Sequence, residues 1–396
     1  MSELADKLLA KPTAPAVKKV NPEKDFTRQI EIKGDDADVT VRSESFESNE
    51  SEAIRVLEGQ GLDPADWTVT GFRSSEWTMA NGDTGVSTRF QFKRECATFA
   101  ERPPLDELLS AIEAYAPPQP ETLIVNKGGE HTLIIAIGDM QFGKIDGDGV
   151  EGTLKRTVEC LNRAADLLGV YRLRYNITHV HIAWLGDHIE GFVSQGGANT
   201  WRTQLTLNEQ IRLTRRVMLH AMLLFAPLVN RLTMAAVPGN HGEAVRINGK
   251  GVTRYDDSHD TESLIAVKDA ADLNPERFGH VEFYVPDTDE LTVVVECSGT
   301  IVAHAHGHQW RPGKHFDWWK GQAFNRESAM HHADLLLAGH LHHEHVDTDG
   351  WRSFLQPPAM ESESTWWRHA KGTTGAPGLV VAVTHDGLTD LKEVVR

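Results

Sequence analysis

The sequence predicts an α/β layered domain behind a smaller α+β unit, on three observations. From about residue 129, short apolar runs alternate with long amphipathic stretches, the pattern of strands alternating with helices. The runs, among them "TLIIAI", "HVHIAWL" and "LTMAAV", are apolar at nearly every position, as strands buried on both faces are. The stretches between them keep a helical period. Leu154, Val158, Leu161, Ala165 and Leu168 recur along one face, and "LNEQIRLTRRVMLHAMLLFA" reads as a second helix.

The elements follow in order. Residues 1–27 are rich in Lys, Pro, Ala and Glu without a period, and are expected to be a disordered tail. Residues 28–100 form the α+β unit. In it "IEIK" and "VTVRS" alternate as strands do, and "ESEAIRVLEGQGL" is a helix closed by Gly61. "WTVTGFRSSEW" and "STRFQFKRE" alternate again around "NGD", a hairpin turn. Residues 101–128 read as a linker, where "PPLDELLSAIEAYAPP" is a short helix bracketed by prolines. Residues 129–396 form the layered domain.

Composition narrows the function. The 396 residues are 40% hydrophobic and 24% charged, as in ordinary globular chains. The formal charge of −17 makes the bulk surface repel nucleic acid, so a polyanion has to be held by a local basic patch or by bound cations. Cys96, Cys160 and Cys297 lie far apart without a CxxC, which indicates a reducing compartment and no thiolate zinc site. "MSELADKLLAKPTAP" lacks the apolar core of a secretory signal, and "AMLLFAPLV" is too short to span a bilayer, so a cytoplasmic chain without membrane contact is expected. No HExxH is present, which disfavours a zinc peptidase.

Histidine is the unusual residue. Ten of the 20 lie between His304 and His345, a density that points to metal or acid–base chemistry. Five apolar runs also end alike. "TLIIAIG" ends at Asp139, "HVHIAWLG" at Asp187, and "LTMAAVPG" at Asn240 and His241. "GTIVAHAHG" carries His304, His306 and His308, and "DLLLAG" ends at His340 and His342. One such residue alone is ordinarily a turn or helix cap. Five together, at the carboxyl ends of strands where α/β sheets bind ligands, predict one polar cluster of oxygen and imidazole donors.

In order, "GDMQ", "GDHIEG", "PGNHGE", "AHGH" and "GHLH" resemble the motif series of the calcineurin-like metallophosphoesterases. The match spans residues 138–342, and 129–396 with flanking strands; "GNH" and "GHLH" are its most specific parts. The resemblance implies a layered β-sandwich flanked by helices and a centre of two divalent ions, most simply Mn²⁺, with Mg²⁺, Fe²⁺ or Zn²⁺ as options. It implies that Asp187 bridges both ions, that Asp139, Gln141 and His342 complete position one, and that Asn240, His306 and His340 complete position two. It further implies a metal-activated water as nucleophile, with His241 unligated beside the scissile phosphate and Asn240 and Asp187 in the catalytic set.

Two residues depart from the pattern. Gln141 stands where the family has His; its oxygen is a weaker ligand, favouring Mn²⁺ or Mg²⁺ over Zn²⁺ at position one. The alternative is that Gln141 only orients water and position one is degraded. In "GNHGE", Gly242 displaces the usual acid to Glu243.

The family acts on phosphomonoesters, nucleotides, phosphoproteins and DNA. After His308, "QWRPGKHFDWWKGQAFNR" interleaves Trp310, Trp318 and Trp319 with Arg311, Lys314, Lys320 and Arg326, a pattern suited to stacking bases and holding phosphates. "TWWRHAKG", with Trp366, Trp367, Arg368 and Lys371, repeats it. These tryptophans either bind a strand or pack their loops onto the sheet. The nuclease branch, including bacteriophage-encoded versions, fits this pattern. It implies a DNA exonuclease and endonuclease, often a homodimer, and without long heptads any ATPase partner is a separate chain. A phosphomonoesterase or small-nucleotide phosphodiesterase, and a catalytically silent binding subunit, stay open beside it.

Overall fold

The computed structural model describes residues 29–33, 36–43, 50–58, 63–64, 67–78, 84–94, 104–114, 129–193, 203–247, 250–251, 253–326, 328–362, 369, 372 and 375–396. Contacts divide the chain into Met1–Ala100 and Glu101–Arg396.

The first unit holds β1 (Gln29–Lys33), β2 (Asp36–Ser43), α1 (Glu50–Glu58), β3 (Trp67–Thr78) and β4 (Thr84–Arg94). They form an antiparallel sheet in the order β1-β2-β4-β3. Phe90, Phe92 and Val39 bury one face of it against Ala53, Val56 and Leu57 of α1. Gly61 and the "NGD" turn lie outside the described residues.

The second unit begins with α2 (Leu105–Glu113), followed by β5 (His131–Ile137), α3 (Gly149–Tyr171), β6 (Ile177–Trp184), α4 (Leu207–Phe225) and β7 (Arg231–Ala236). Then come β8 (Arg246–Ile247), β9 (Lys250–Gly251), α5 (His259–Asp272), α6 (Pro275–Phe278), β10 (Val281–Tyr284), β11 (Val293–Cys297) and β12 (Thr300–His304). The chain finishes with α7 (His315–Phe324), β13 (Leu335–Leu337), β14 (His345–Asp349), β15 (Arg352–Gln356), β16 (Leu379–His385) and β17 (Leu388–Val395).

Two sheets dominate. One has the order β10-β7-β6-β5-β16-β17, with β10, β7, β6 and β5 parallel. The other has the order β11-β12-β13-β15-β14, with β12, β13 and β15 parallel. Side-chain alternation assigns their faces. On β5, Leu133, Ile135 and Ile137 join the helix-side core, while Ile134 and Ala136 meet the other sheet. On β13, Leu335 and Leu337 meet the first sheet, while Leu336 faces the cluster that includes Trp319 of α7. The unit is therefore a helix–sheet–sheet–helix stack, a mixed α/β architecture as the sequence predicts. The helix assigned to a linker, α2, contributes Leu108, Leu109 and Ile112 to the helix-side core.

Between the sheets runs a buried polar chain. Thr132 Oγ1 lies 2.8 Å from Ser298 Oγ and 2.9 Å from His179 Nδ1. His179 Nε2 and His181 Nδ1 each lie 2.7 Å from Thr233 Oγ1, and His181 Nε2 lies 2.7 Å from His304 Nε2. Each ring is satisfied as a neutral imidazole, so desolvation need only be offset by these bonds. Burial pushes His179 down to about 3 and His181 well below its usual range. The folded state thus stays neutral where the unfolded chain takes up protons. Stability is full above the unfolded pKa of about 6.5 and falls as pH drops toward the folded value. For His179 the loss is about 2 kcal/mol at pH 5. Urea unfolding at pH 7.5 and 5 is expected to show wild type losing about 2 kcal/mol more than His179→Asn. Equal losses contradict this.

Candidate metal centre

Every predicted ligand lies in a loop at the carboxyl end of a strand. Asp139 and Gln141 follow β5, Asp187 follows β6, Asn240 and His241 follow β7, His306 follows β12, and His340 and His342 follow β13. The loops are stitched to one another. Asp139 N donates to Gly186 O (3.1 Å) and Gln141 N to Asp187 O (2.9 Å). Gly339 N donates to His306 O (2.8 Å), linking the two loops of the second sheet. His340 N reaches across to Asp139 Oδ2 (2.8 Å), and His241 N donates to Asp187 Oδ1 (2.7 Å).

The backbone there is strained. Asp139, Gln141, Asp187, His340 and His342 all have positive φ, between 42° and 73°. Each such non-glycine residue costs about 1–2 kcal/mol. Among the described residues only Asp289, Ser298 and Asp386 otherwise share this, so the strain concentrates on the predicted ligands. Gly239 has a different reason to be glycine: a Cβ on it would collide with the Asp187 carboxylate.

Position two is well formed. One ligand atom each from Asp187, His306 and His340 lies within 4.8 Å of the others. His306 Nε2 is 3.0 Å from Asp187 Oδ2, while its Nδ1 is anchored 2.7 Å from Leu185 O, the tautomer that turns Nε2 inward. Asn240 Oδ1 is buried without a hydrogen-bond partner among the described residues. Burial disfavours charge on His306, but the Asp187 carboxylate overrides it and raises the ring to about 9. Burial brings His340 down to about 4. A cluster holding two buried carboxylates draws positive charge, and its oxygen and imidazole donors suit a divalent ion.

Asp139, Gln141 and His342 are brought together, with His342 Nε2 3.3 Å from Asp139 Oδ1. Lys144 Nζ donates to Gln141 Oε1 at 3.1 Å. A lysine only donates, so the atom facing it is the oxygen, and the Gln141 NH₂ lies 3.4 Å from His342 Nε2. The Gln141 oxygen thus meets the Lys144 ammonium, which also pairs with buried Glu361 at 3.0 Å.

His241 is buried beside Asp187 but does not join the three converging donors. Its Nδ1 donates to Glu190 O (2.9 Å), and its Nε2 lies 4.0 Å from Asp187 Oδ2. Burial disfavours its charge, but Asp187 and then Glu190 hold it up at about 9.

Three supporting residues escaped sequence reasoning. Asp260 accepts from Asp187 N (3.0 Å), His188 N (2.9 Å) and Gly239 N (2.9 Å), tying the β6 and β7 loops together. Glu361 accepts from His342 Nδ1 at 2.9 Å. Lys144 is the third. Glu243, by contrast, pairs with Arg246 at 2.9 Å.

Other expectations need correction. His304 belongs to the inter-sheet chain, because it ends β12 facing His181. Trp319 is 1% exposed and Trp310 9%; both belong to the core beneath α7, and Trp319 Nε1 donates to Met330 O (3.2 Å). They offer no free face to a base, because the outer face of the second sheet needed apolar cover. Trp318 is half-buried against Trp310 (ring centroids 4.6 Å apart), and Arg311 and Lys314 are exposed. His308 is half-buried near His306 and His340, with centroids 5.4 and 6.2 Å away. Trp366, Trp367, Arg368 and Lys371 lie outside the described residues.

No protein-family model matches the chain, and no curated protein matches its sequence. Solved structures similar to it include vacuolar protein sorting 29 from Cryptosporidium parvum, 14% identical over 67% of this chain and 97% of that one, with a TM-score of 0.30. A predicted phosphoesterase from Streptococcus pneumoniae TIGR4 is 13% identical over 67% of this chain and 97% of that one, with a TM-score of 0.28. A novel archaeal phosphodiesterase is 13% identical over 66% and 99%, with a TM-score of 0.31. Among the described residues no helix is long and apolar enough to cross a membrane.

Proposed function

We propose that the chain is a metal-dependent phosphodiester hydrolase acting on DNA. The observation that carries the catalytic half is the convergence of Asp187, His306 and His340 from three strand ends, within a cluster where five predicted ligands adopt left-handed backbone. Such strain is maintained where the surrounding structure enforces a functional geometry. Asp187, His306, His340 and Asn240 would hold the ion, which when bound supplies Lewis acidity and an activated water. Manganese suits this mixture of carboxylate, amide and imidazole donors.

His241 Nε2 lies 4.0 Å from the Asp187 carboxylate, positioned to donate a proton to a leaving oxygen. The Glu190 carbonyl fixes the ring by accepting a hydrogen bond from Nδ1, so Nε2 is the atom turned toward the centre. Asp260 keeps Asp187 and Asn240 in register by gripping both loops.

The choice of DNA rests on the segment after His308, where exposed Arg311 and Lys314 accompany half-buried Trp318. In a chain of net charge −17, local cations and a bound metal are what can hold a polyanion. One observation favours a second reading, a silent binding subunit: Gln141 is held by Lys144.

End-labelled linear DNA incubated with the protein in Mn²⁺ is expected to be digested, and a bis-aryl phosphodiester in the same buffer to be hydrolysed. Hydrolysis of the small ester alone moves the substrate to nucleotides or monoesters. Silence on both, in folded protein, favours the binding subunit.

A further inference from the structure

We propose that His131, His385 and Asp390 form a separate metal site, a Zn²⁺ clip at the opposite end of β5 from Asp139. One ligand atom from each lies within 4.8 Å of the others. His131 opens β5, His385 closes β16 and Asp390 lies in β17, so three neighbouring strands of the first sheet each supply one donor. The length of β5, His131–Ile137, puts about 20 Å of strand between this cluster and the Asp187 centre. The proposal therefore does not rest on the hydrolase reading.

The backbone builds the cluster. β16 runs antiparallel to β5 with Thr384 opposite Thr132, which sets His385 beside His131 at the rim, ring centroids 4.6 Å apart. Side-chain alternation puts both on the helix-side face, with Leu133 and Val383. β16 and β17 are joined through Asp386 and Gly387, at φ 44° and 78°, as a two-residue hairpin turn requires. Behind that turn Val383 pairs with Leu391 but Thr384 with Thr389, so Asp390 is the extra residue of a β-bulge. Regular alternation would turn Asp390 away from the face on which Leu391 packs. The bulge instead brings its carboxylate to His385, whose Nδ1 donates to Asp390 Oδ2 at 2.6 Å.

The donor chemistry is that of zinc. His131 is buried and its Nδ1 donates to Gly129 O (2.8 Å), which leaves the Nε2 lone pair as its ligating atom. That atom lies 3.8 Å from Asp390 Oδ2, too far for a hydrogen bond and close to the about 3.3 Å that separates two donors on one tetrahedral Zn²⁺. The Tyr175 ring, its centroid 5.4 Å from that of His131, walls the imidazole on its inner side. An arriving ion replaces the His385 Nδ1 proton and widens that contact by about 0.7 Å, a small movement at the end of a hairpin. Two imidazoles and one carboxylate, without a thiolate, make a three-ligand zinc site whose fourth position is left to water. The His385 and Asp390 side chains are 27% and 28% exposed, which gives the ion a path from solvent. Bound there, it fastens the edge hairpin β16–β17 to the start of β5.

The test is Zn²⁺ binding to the full-length Asp187→Ala variant, which takes the Asp187 centre out of the count, by equilibrium dialysis at micromolar free Zn²⁺. One ion per chain is expected, and Co²⁺ in its place is expected to show the intense visible absorption of a tetrahedral ion. Adding Asp390→Ala or His131→Ala is expected to weaken binding at least ~10²-fold, more than the loss of a group that merely orients a ligand. Zn²⁺ is also expected to raise the melting temperature of Asp187→Ala, and not that of Asp187→Ala, Asp390→Ala. No bound Zn²⁺ in Asp187→Ala overturns the proposal. Binding that survives both added substitutions also overturns it, because the ion then sits elsewhere. Should Asp187→Ala or His131→Ala fail to fold, Asp390→Ala in the wild-type chain decides. It is expected to hold one Zn²⁺ fewer than wild type while hydrolysing the bis-aryl ester in Mn²⁺ as wild type does, and an unchanged Zn²⁺ content overturns the proposal.

Discussion

Asp187→Ala abolishes Mn²⁺ binding at position two and lowers phosphodiester hydrolysis by at least ~10³-fold, the scale expected when a group central to transition-state charge is removed. The effect is large because Asp187 serves several partners at once. Its Oδ2 lies 3.0 Å from His306 Nε2, its Oδ1 accepts from His241 N (2.7 Å), and its backbone N–H is held by Asp260 (3.0 Å). Asp187→Asn keeps the shape and removes the charge, so it separates ligation from packing. Calorimetric Mn²⁺ titration of both variants, with circular dichroism to verify folding, checks the prediction. Wild-type affinity in either variant contradicts it.

The second large effect is at His241. Glutamine fills a similar volume and cannot supply the proton, so His241→Gln is expected to lose ~10²–10⁴-fold in kcat. Because His241 stands outside the converging triplet, the Mn²⁺ content is expected to be unchanged. The loss should also depend on the leaving group. An aryl ester departs without much help, whereas a DNA alkoxide needs the proton, so DNA cleavage should fall further than aryl ester hydrolysis. Equal losses on both substrates argue that His241 stabilises charge without donating a proton, and loss of the ion makes it a ligand.

The strands of the layered unit were legible because burial on both faces leaves an unambiguous apolar run, as in Leu133–Ile137. The convergence of Asp187, His306 and His340 was legible for a related reason: polar residues that end such runs share one edge of the sheets. Asp260 was not legible. It is the second residue of α5, where an acid ordinarily serves the helix N-terminus, and only the docking of α5 turns it onto the Asp187 and Gly239 amides. Lys144 was hidden similarly, since its reach to Glu361 spans a long sequence separation. The Trp310–Trp319 segment was ambiguous by composition. A helix that covers a sheet and a helix that stacks bases use the same aromatic residues, and the apolar outer face of Leu336 and Phe354 decided in favour of cover. The helix Leu105–Glu113 reads as part of a proline-bracketed linker, yet its Leu108, Leu109 and Ile112 sit in the helix-side core.

The cluster around Asp187 is proposed to be a working divalent-metal hydrolase centre. Hydrolysis of a bis-aryl phosphodiester by chelator-stripped protein, before and after Mn²⁺ is restored, tests it most directly. No turnover is expected in the stripped protein, with recovery on adding Mn²⁺. Turnover that survives stripping, or folded protein that stays inactive with Mn²⁺ restored, would contradict it.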